Sequence, residues 1–217
     1  MMAIFMNPKL ITKRNYVLRK VFYSTNNLSI LQDLIESFLA ISIQDISLNP
    51  YLAKQAKHLP AEENFGIADV RIQTKEKEEK NIGIQFLEGK YITTKLLMYY
   101  AQIHYYQLEH PNHKKIVKTI TLNFLDDTYD NQYRYHQKLR LKRENEAEIP
   151  EEEAEFHVIE LPKFQAIGLE RLTRKEEWMM YLKGENEQEI KQAKRTNEKI
   201  YQLDLLVDEY WKKEKMK

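Results

Sequence analysis

The stretch that most constrains this chain is residues 68–86, ADVRIQTKEKEEKNIGIQF. Val70 and Ile72 alternate with Asp69, Arg71 and Gln73. Beyond the charged connector TKEKEEK, Ile82, Ile84 and Phe86 alternate with Gly83 and Gln85. Alternation with period two marks a strand whose faces meet different surroundings, so the stretch predicts two strands joined by a hairpin loop longer than the tightest turns. Side chains at 83 and 85 share a face. Gly83 is the odd member, because glycine inside a strand weakens it and marks a bulge or a close approach by another part of the chain.

The flanking sequence surrounds this hairpin with further elements. Leu28, Leu31, Leu34, Ile35, Phe38 and Leu39 recur at helical spacing after the cap candidates in STNN. Ile43 to Leu59 is less regular, with Pro50 and Pro60 as breakers. In ITTKLLMYYAQIHYYQLE, residues 92–109, Ile92, Leu96, Tyr99, Ile103 and Tyr106 predict a helix that ends before Pro111. KIVKTITLNFLD predicts a buried strand. YRYHQKLRLKR predicts another, with Leu139 and Leu141 on one face and Lys138, Arg140 and Lys142 on the other; FHVIELPKF predicts a third, after the acidic loop ENEAEIPEEEAE. From about Thr173 helix returns. RKEEWMMYLKG closes on Gly184, a C-cap candidate, and Ile190, Ala193, Ile200, Leu203, Val207 and Tyr210 fall near heptad spacing. This order predicts an α/β (α+β) fold: a central mixed sheet flanked by helices, with a C-terminal helical extension.

Composition narrows the function classes. A chain of 217 residues fits one domain with a helical appendage, divided here as 1–183 and 184–217, and 42% hydrophobic residues suffice for a core. The absence of cysteine excludes disulfides, zinc–thiolate sites and cysteine nucleophiles and suits a reducing cytoplasm. The opening MMAIFMNPKLITKRNYVLRK puts apolar residues before basic ones, the reverse of a secretory signal, and no apolar run approaches the ~20 residues of a membrane span. A cytoplasmic protein without membrane contact is expected. A net charge of +1 leaves nucleic-acid binding to local patches.

Two strands with polar residues on one face, followed by a helix, suit a metal-dependent phosphodiesterase, which needs carboxylates for Mg²⁺ and a group to orient water. One Asp on a hairpin is not specific. Tyr99, Tyr100, Tyr105 and Tyr106 suit either base stacking or packing. His110 and His113 read as a surface turn at a helix end. The Lys138–Arg140–Lys142 stripe suits a phosphate backbone or a solvated, aggregation-resistant edge.

The ordered set ADVRIQ, NIGIQF, TTKLLMYYAQIHYYQL, KKIVKTITLNFLDD, FHVIELPKF and EEWMMYLKG is more specific than any one piece. In this order it resembles the PD-(D/E)XK nuclease superfamily, in the branch of recombination-promoting nucleases (Rpn) also labelled transposases, over roughly residues 16–183. The resemblance implies a restriction-endonuclease-like fold, DNA as substrate, and Mg²⁺ or Mn²⁺ as cofactor if the protein is active. Asp69 matches the metal-binding Asp. Gln85 matches the residue that replaces the catalytic Lys in this branch. Lys95 stands where the family usually has Arg, keeping the charge without the planar fork. Gly83 stands where the second metal-binding Glu belongs. Glu36, on the first predicted helix, lies where many members carry an accessory Glu, and is the candidate second metal ligand.

Two functions follow. One is a Mg²⁺-dependent DNA endonuclease with Asp69, Gln85 and Lys95 as catalytic residues and Asp69 and Glu36 as metal ligands, impaired by Gly83. The other is an inactive homologue that binds nucleic acid or protein as a regulator. The C-terminal helix is a candidate surface for homo-oligomerisation.

Overall fold

The computed structural model describes residues 8–49, 66–109, 116–140, 154–166 and 171–215. Pro50, Pro60, His110, His113, Lys142 and residues 144–153 of the acidic loop lie outside the described residues, while the loop's last two residues, Ala154 and Glu155, open a strand. Two helices, α1 (Pro8–Phe22) and α2 (Leu28–Leu39), lead into strand β1 (Ile43–Leu48). The hairpin follows as β2 (Ala68–Thr74) and β3 (Glu79–Leu87), then α3 (Ile92–Glu109) and β4 (Lys118–Leu125). Next come β5 (His136–Arg140) and β6 (Ala154–Glu160), and the chain closes with α4 (Arg174–Lys183), α5 (Glu187–Thr196) and α6 (Glu198–Lys215).

The six strands form one mixed sheet in the order β1-β2-β3-β4-β6-β5. β1, β2 and β3 are antiparallel neighbours; β4 runs parallel to both β3 and β6, and β5 closes the far edge antiparallel to β6. Parallel neighbours need a crossover, and α3 supplies it between β3 and β4. The expected mixed sheet flanked by helices is therefore the observed architecture.

Alternation divides the sheet into two unlike faces. One carries Val70, Ile72, Ile82, Ile84, Phe86, Ile120, Leu122 and Phe124, buried with Leu31, Leu34, Ile35 and Phe38 of α2 and Trp178 and Met179 of α4. Phe38 meets Phe124 edge-on at 5.0 Å. The other face is covered by α3. Its first half packs Ile92 and Leu96 on Leu87, Leu125, Phe156 and Val158.

Side-chain caps set the helix ends. Thr173 and Glu176 form a capping box at the start of α4, and Gly184 ends it with φ 65°. The near-heptad run after Gly184 is not one helix. Asn197 is extended between α5 and α6, and its Oδ1 accepts from the Lys199 amide at 2.9 Å as an N-cap. Its Nδ2 donates to Asp33 Oδ2 at 3.2 Å, and Trp178 Nε1 donates to the same oxygen at 2.9 Å. Arg174 pairs with the other Asp33 oxygen. One buried carboxylate on α2 thus ties down α4 and the α5–α6 joint. Ile200, Leu203 and Val207 of α6 are buried in the main core, so this stripe is consumed within the chain.

Candidate active site

The face under α3 is polar although it is buried. Asp69 pairs across the hairpin with Gly83, Gly83 pairs with Thr121, and Gln85 pairs with Asn123. Paired residues present side chains to the same face. Asp69, Thr121 and Asn123 are each 0% exposed and Gln85 is 4% exposed. The hairpin pattern therefore brings Asp69, position 83 and Gln85 together, as the sequence predicts.

Most of these groups are satisfied by one another. Gln85 Nε2 donates to Asn123 Oδ1 at 2.6 Å. Asn123 Nδ2 in turn donates to Thr121 Oγ1 at 2.9 Å and to the His157 carbonyl at 2.9 Å. Gln85 is thus spent on a cross-strand bond. Asp69 is the exception: neither carboxylate oxygen has a hydrogen-bond partner of good geometry among the described residues. Burial pushes its pKa well above the usual carboxylate range, and the nearby Asn49 side chain offsets part of that rise.

Gly83 explains what covers Asp69. A Cβ at residue 83 would stand 2.2 Å from Ile103 Cδ1 and 2.9 Å from Tyr99 Cε1. One at Gly66 would stand 1.9 Å from the Tyr99 hydroxyl. Tyr99 therefore lies against two glycines, and its hydroxyl donates to the Ala68 carbonyl at 3.0 Å. Burial raises the pKa of that hydroxyl well above its ordinary value, with the Asp69 charge next in effect. Tyr23 feels the same two influences. The tyrosines of α3 divide accordingly: Tyr99 is core and Tyr105 is exposed.

The helix is pinned at both ends. Lys95 Nζ donates to the Glu88 carbonyl at 2.6 Å. Gln107 Nε2 donates to Thr119 Oγ1 at 3.0 Å, and its Oε1 accepts from the Val117 amide at 2.9 Å. Sequence reasoning assigned no role to Gln107, although QL ends the matched helix string.

Glu36 is not brought to Asp69. Its Oε1 accepts from the Ile43 amide at 2.7 Å and from Gln32 Nε2 at 3.2 Å. Ile43 pairs with Thr74, at the opposite end of β2 from Asp69. Five residues of strand separate the two places by about 17 Å. Glu36 anchors the α2–β1 turn.

IELPK also has a structural task that sequence reasoning missed. Glu160, 0% exposed, accepts from the Tyr129 amide at 2.6 Å and from Lys163 Nζ at 2.7 Å. Lys163 also donates to Asp130 at 3.0 Å. These bonds hold the β4–β5 connection against the end of β6. The sequence signal was a Glu–Lys pair flanking Pro162.

This order of elements, with Asp69 opposite residue 83 and Gln85 one step further on the same face, was compared with known families. A sequence model described as PD-(D/E)XK nuclease family transposase matches residues 12–217. The chain belongs to this family. No curated protein and no solved structure matches it.

PD-(D/E)XK nucleases generally use divalent metals, but the donor set of this family member does not fit one. Hard cations such as Mg²⁺ require several oxygens, at least one or two of them carboxylates, with room for water. Where Asp69 faces residue 83 across the hairpin, this chain offers one fully buried carboxylate and a glycine. Among the described residues no group of three His, Asp or Glu side chains is arranged to hold an ion.

Proposed function

We propose that this protein keeps the nuclease fold of its family with phosphodiester hydrolysis impaired. The reading rests on Gly83. Its missing side chain is not an empty place, because Ile103 and Tyr99 occupy the room a Glu would need. Of the groups expected to act with Asp69, Gln85 Nε2 is bound to Asn123, Lys95 to a carbonyl, and Glu36 to the far end of β1. Residues 1–183 form the nuclease-like unit in this proposal, and 184–217 an extension that shares its core. DNA is the substrate class the family suggests, and the cytoplasm the expected location.

The test is incubation of purified protein with supercoiled and linear DNA in Mg²⁺ or Mn²⁺, then in chelator, beside Asp69→Ala. The expected result is no metal-dependent cutting above the variant. Cutting that needs metal and disappears in Asp69→Ala contradicts the proposal.

A second reading, an inactive homologue that acts by binding protein, is favoured by the outer side of α3. Leu97, Met98 and Tyr105 are 44%, 67% and 53% exposed there. With Thr93, Thr94 and Ala101 they leave the exposed positions of α3 from Thr93 to Tyr105 without a charge, in a chain where 31% of residues are charged. An uncharged face is self-compatible about a two-fold axis, so the partner proposed is a second copy. Light scattering should show a dimer that Met98→Glu dissociates; a monomer in both forms removes this reading.

A further inference from the structure

The cations of β5 take no part in the function proposed above, and the fold gathers them at one point. Leu139 packs with Phe156 in the core under α3, so Lys138 and Arg140 on either side of it share the opposite sheet face, beside His157 and Glu155 of β6. Lys118 of β4 is on that face too, since it shares the parity of Ile120 in the main core. All three meet one carboxylate. Glu155, whose side chain is 6% exposed, has Lys138 Nζ 2.7 Å from Oε1, Lys118 Nζ 3.0 Å from Oε2 and Arg140 Nη2 3.6 Å from Oε2. The buried His157 puts its Nε2 2.7 Å from Oε1.

Three positive charges thus face one negative charge. Among the described residues no other carboxylate pairs with Lys118, Lys138 or Arg140, so an excess of two positive charges remains. Lys80, which neighbours Lys118 in the β3–β4 register, is matched by Glu78 at 2.6 Å and adds nothing to that excess. The donors are within reach of a ligand: the side chains of Lys138 and Arg140 are 44% and 47% exposed. Lys138 gives Glu155 one of the three N–H groups of its ammonium. Arg140, at 3.6 Å, forms an ion pair beyond hydrogen-bond length, so Glu155 leaves its planar fork unspent. The buried carboxylate holds together like charges that would otherwise separate.

We propose that Lys118, Lys138 and Arg140 form a binding site for the terminal phosphate of a phosphomonoester. Such a group carries close to two negative charges near neutral pH and three strong acceptor oxygens, which matches the excess charge of the cluster. The Arg140 fork takes two of those oxygens and the Lys138 ammonium the third, with Lys118 adding its charge from the side of β4. A nucleic-acid backbone is the poorer match. It carries one charge per phosphate and rewards cations strung along the strand, each on its own phosphate, whereas these three converge on one carboxylate. The stripe that suits a track in the sequence is a cluster in the fold. It lies on the sheet face opposite Asp69, so the site is independent of the nuclease reading and needs no metal.

Ligand-observed NMR of the full chain with phenyl phosphate, in chelator and at physiological ionic strength, measures the affinity without metal or turnover. Saturable binding is expected. Arg140→Gln and Lys138→Gln should each weaken it about tenfold, the loss of a charge-assisted hydrogen bond. Lys191→Gln, which removes a 69% exposed lysine of α5, should leave it unchanged. Thermal melts verify the fold of each variant. No saturable binding by the wild type overturns the proposal, and so does undiminished binding by folded Arg140→Gln and Lys138→Gln. A single-stranded oligonucleotide with hydroxyls at both ends is the second probe, and it should displace phenyl phosphate only weakly. If the oligonucleotide binds through Lys138 and Arg140 while phenyl phosphate does not, the cluster holds a backbone and the terminal-phosphate site is overturned.

Discussion

Replacing Asp69 by Asn should stabilise this protein, by an amount that grows with pH. The carboxyl is 0% exposed, with no partner of good geometry among the described residues, and burial raises its folded pKa well above the ordinary 3.8. Above pH 3.8 the folded state therefore holds a proton that the unfolded state has released, and stability falls as pH rises until the native carboxyl ionises. The slope is at most about 1.4 kcal/mol per pH unit, which sets a ceiling of about 4 kcal/mol at pH 7. The Asn amide is buried in the same place and forfeits about 1–3 kcal/mol of that relief where its hydrogens lack acceptors. A net gain of at most about 1–3 kcal/mol remains, or up to roughly 10 °C in Tm for a chain of this size. Urea unfolding of both proteins between pH 4.5 and 8 measures it, since the difference isolates Asp69. Parallel curves, or a variant less stable at pH 7.5, refute the reasoning.

Gly83→Ala should cost about 1–3 kcal/mol in chemical denaturation, because its Cβ meets Ile103 at 2.2 Å. Gly83→Glu should cost more and gain no nuclease activity unless Ile103→Ala makes room. Truncation after Lys183 should leave a chain without a cooperative melt. Ile200, Leu203 and Val207 contribute about 1.5–3 kcal/mol each to the shared core, against a total stability of about 5–15 kcal/mol. His136 acts on pH in the sense opposite to Asp69. Its folded pKa of about 3 lies below the ordinary 6.5, so stability is lost as pH falls from 6.5 towards 3, by less than about 1.4 kcal/mol per unit because the ring is partly exposed. Asp69→Asn should therefore unmask an acid-labile profile below pH 6.5 that adding His136→Gln removes.

The hairpin and α3 were legible because their patterns are local. Alternation at 68–74 and 79–87 survives any tertiary context that gives the sheet two unlike faces, and the four-and-three spacing of 92–109 marks the buried side of one helix. Gly83 was legible as a close approach, and the structure shows what approaches: without a Cβ, Ile103 and Tyr99 settle on the strand. That Tyr99 also needs Gly66 was not legible, since no spacing relates them. The break at Asn197 escaped for a similar reason. Its side chain answers to Asp33, 164 residues away, while the apolar repeat runs through it undisturbed. Glu36 shows the limit of carrying a site over by family position, because its helix is where the pattern puts it but its carboxylate is tied to the Ile43 amide.

In the function proposed here, this member of the family has filled the place of a metal ion with its own side chains. Calorimetric titration of the wild type and of Asp69→Asn with Mn²⁺ at pH 7.5 tests it most directly, since the readout is binding and needs no turnover. The same weak, unsaturable heat is expected from both proteins. Saturable one-to-one binding in the wild type that vanishes in Asp69→Asn would contradict it.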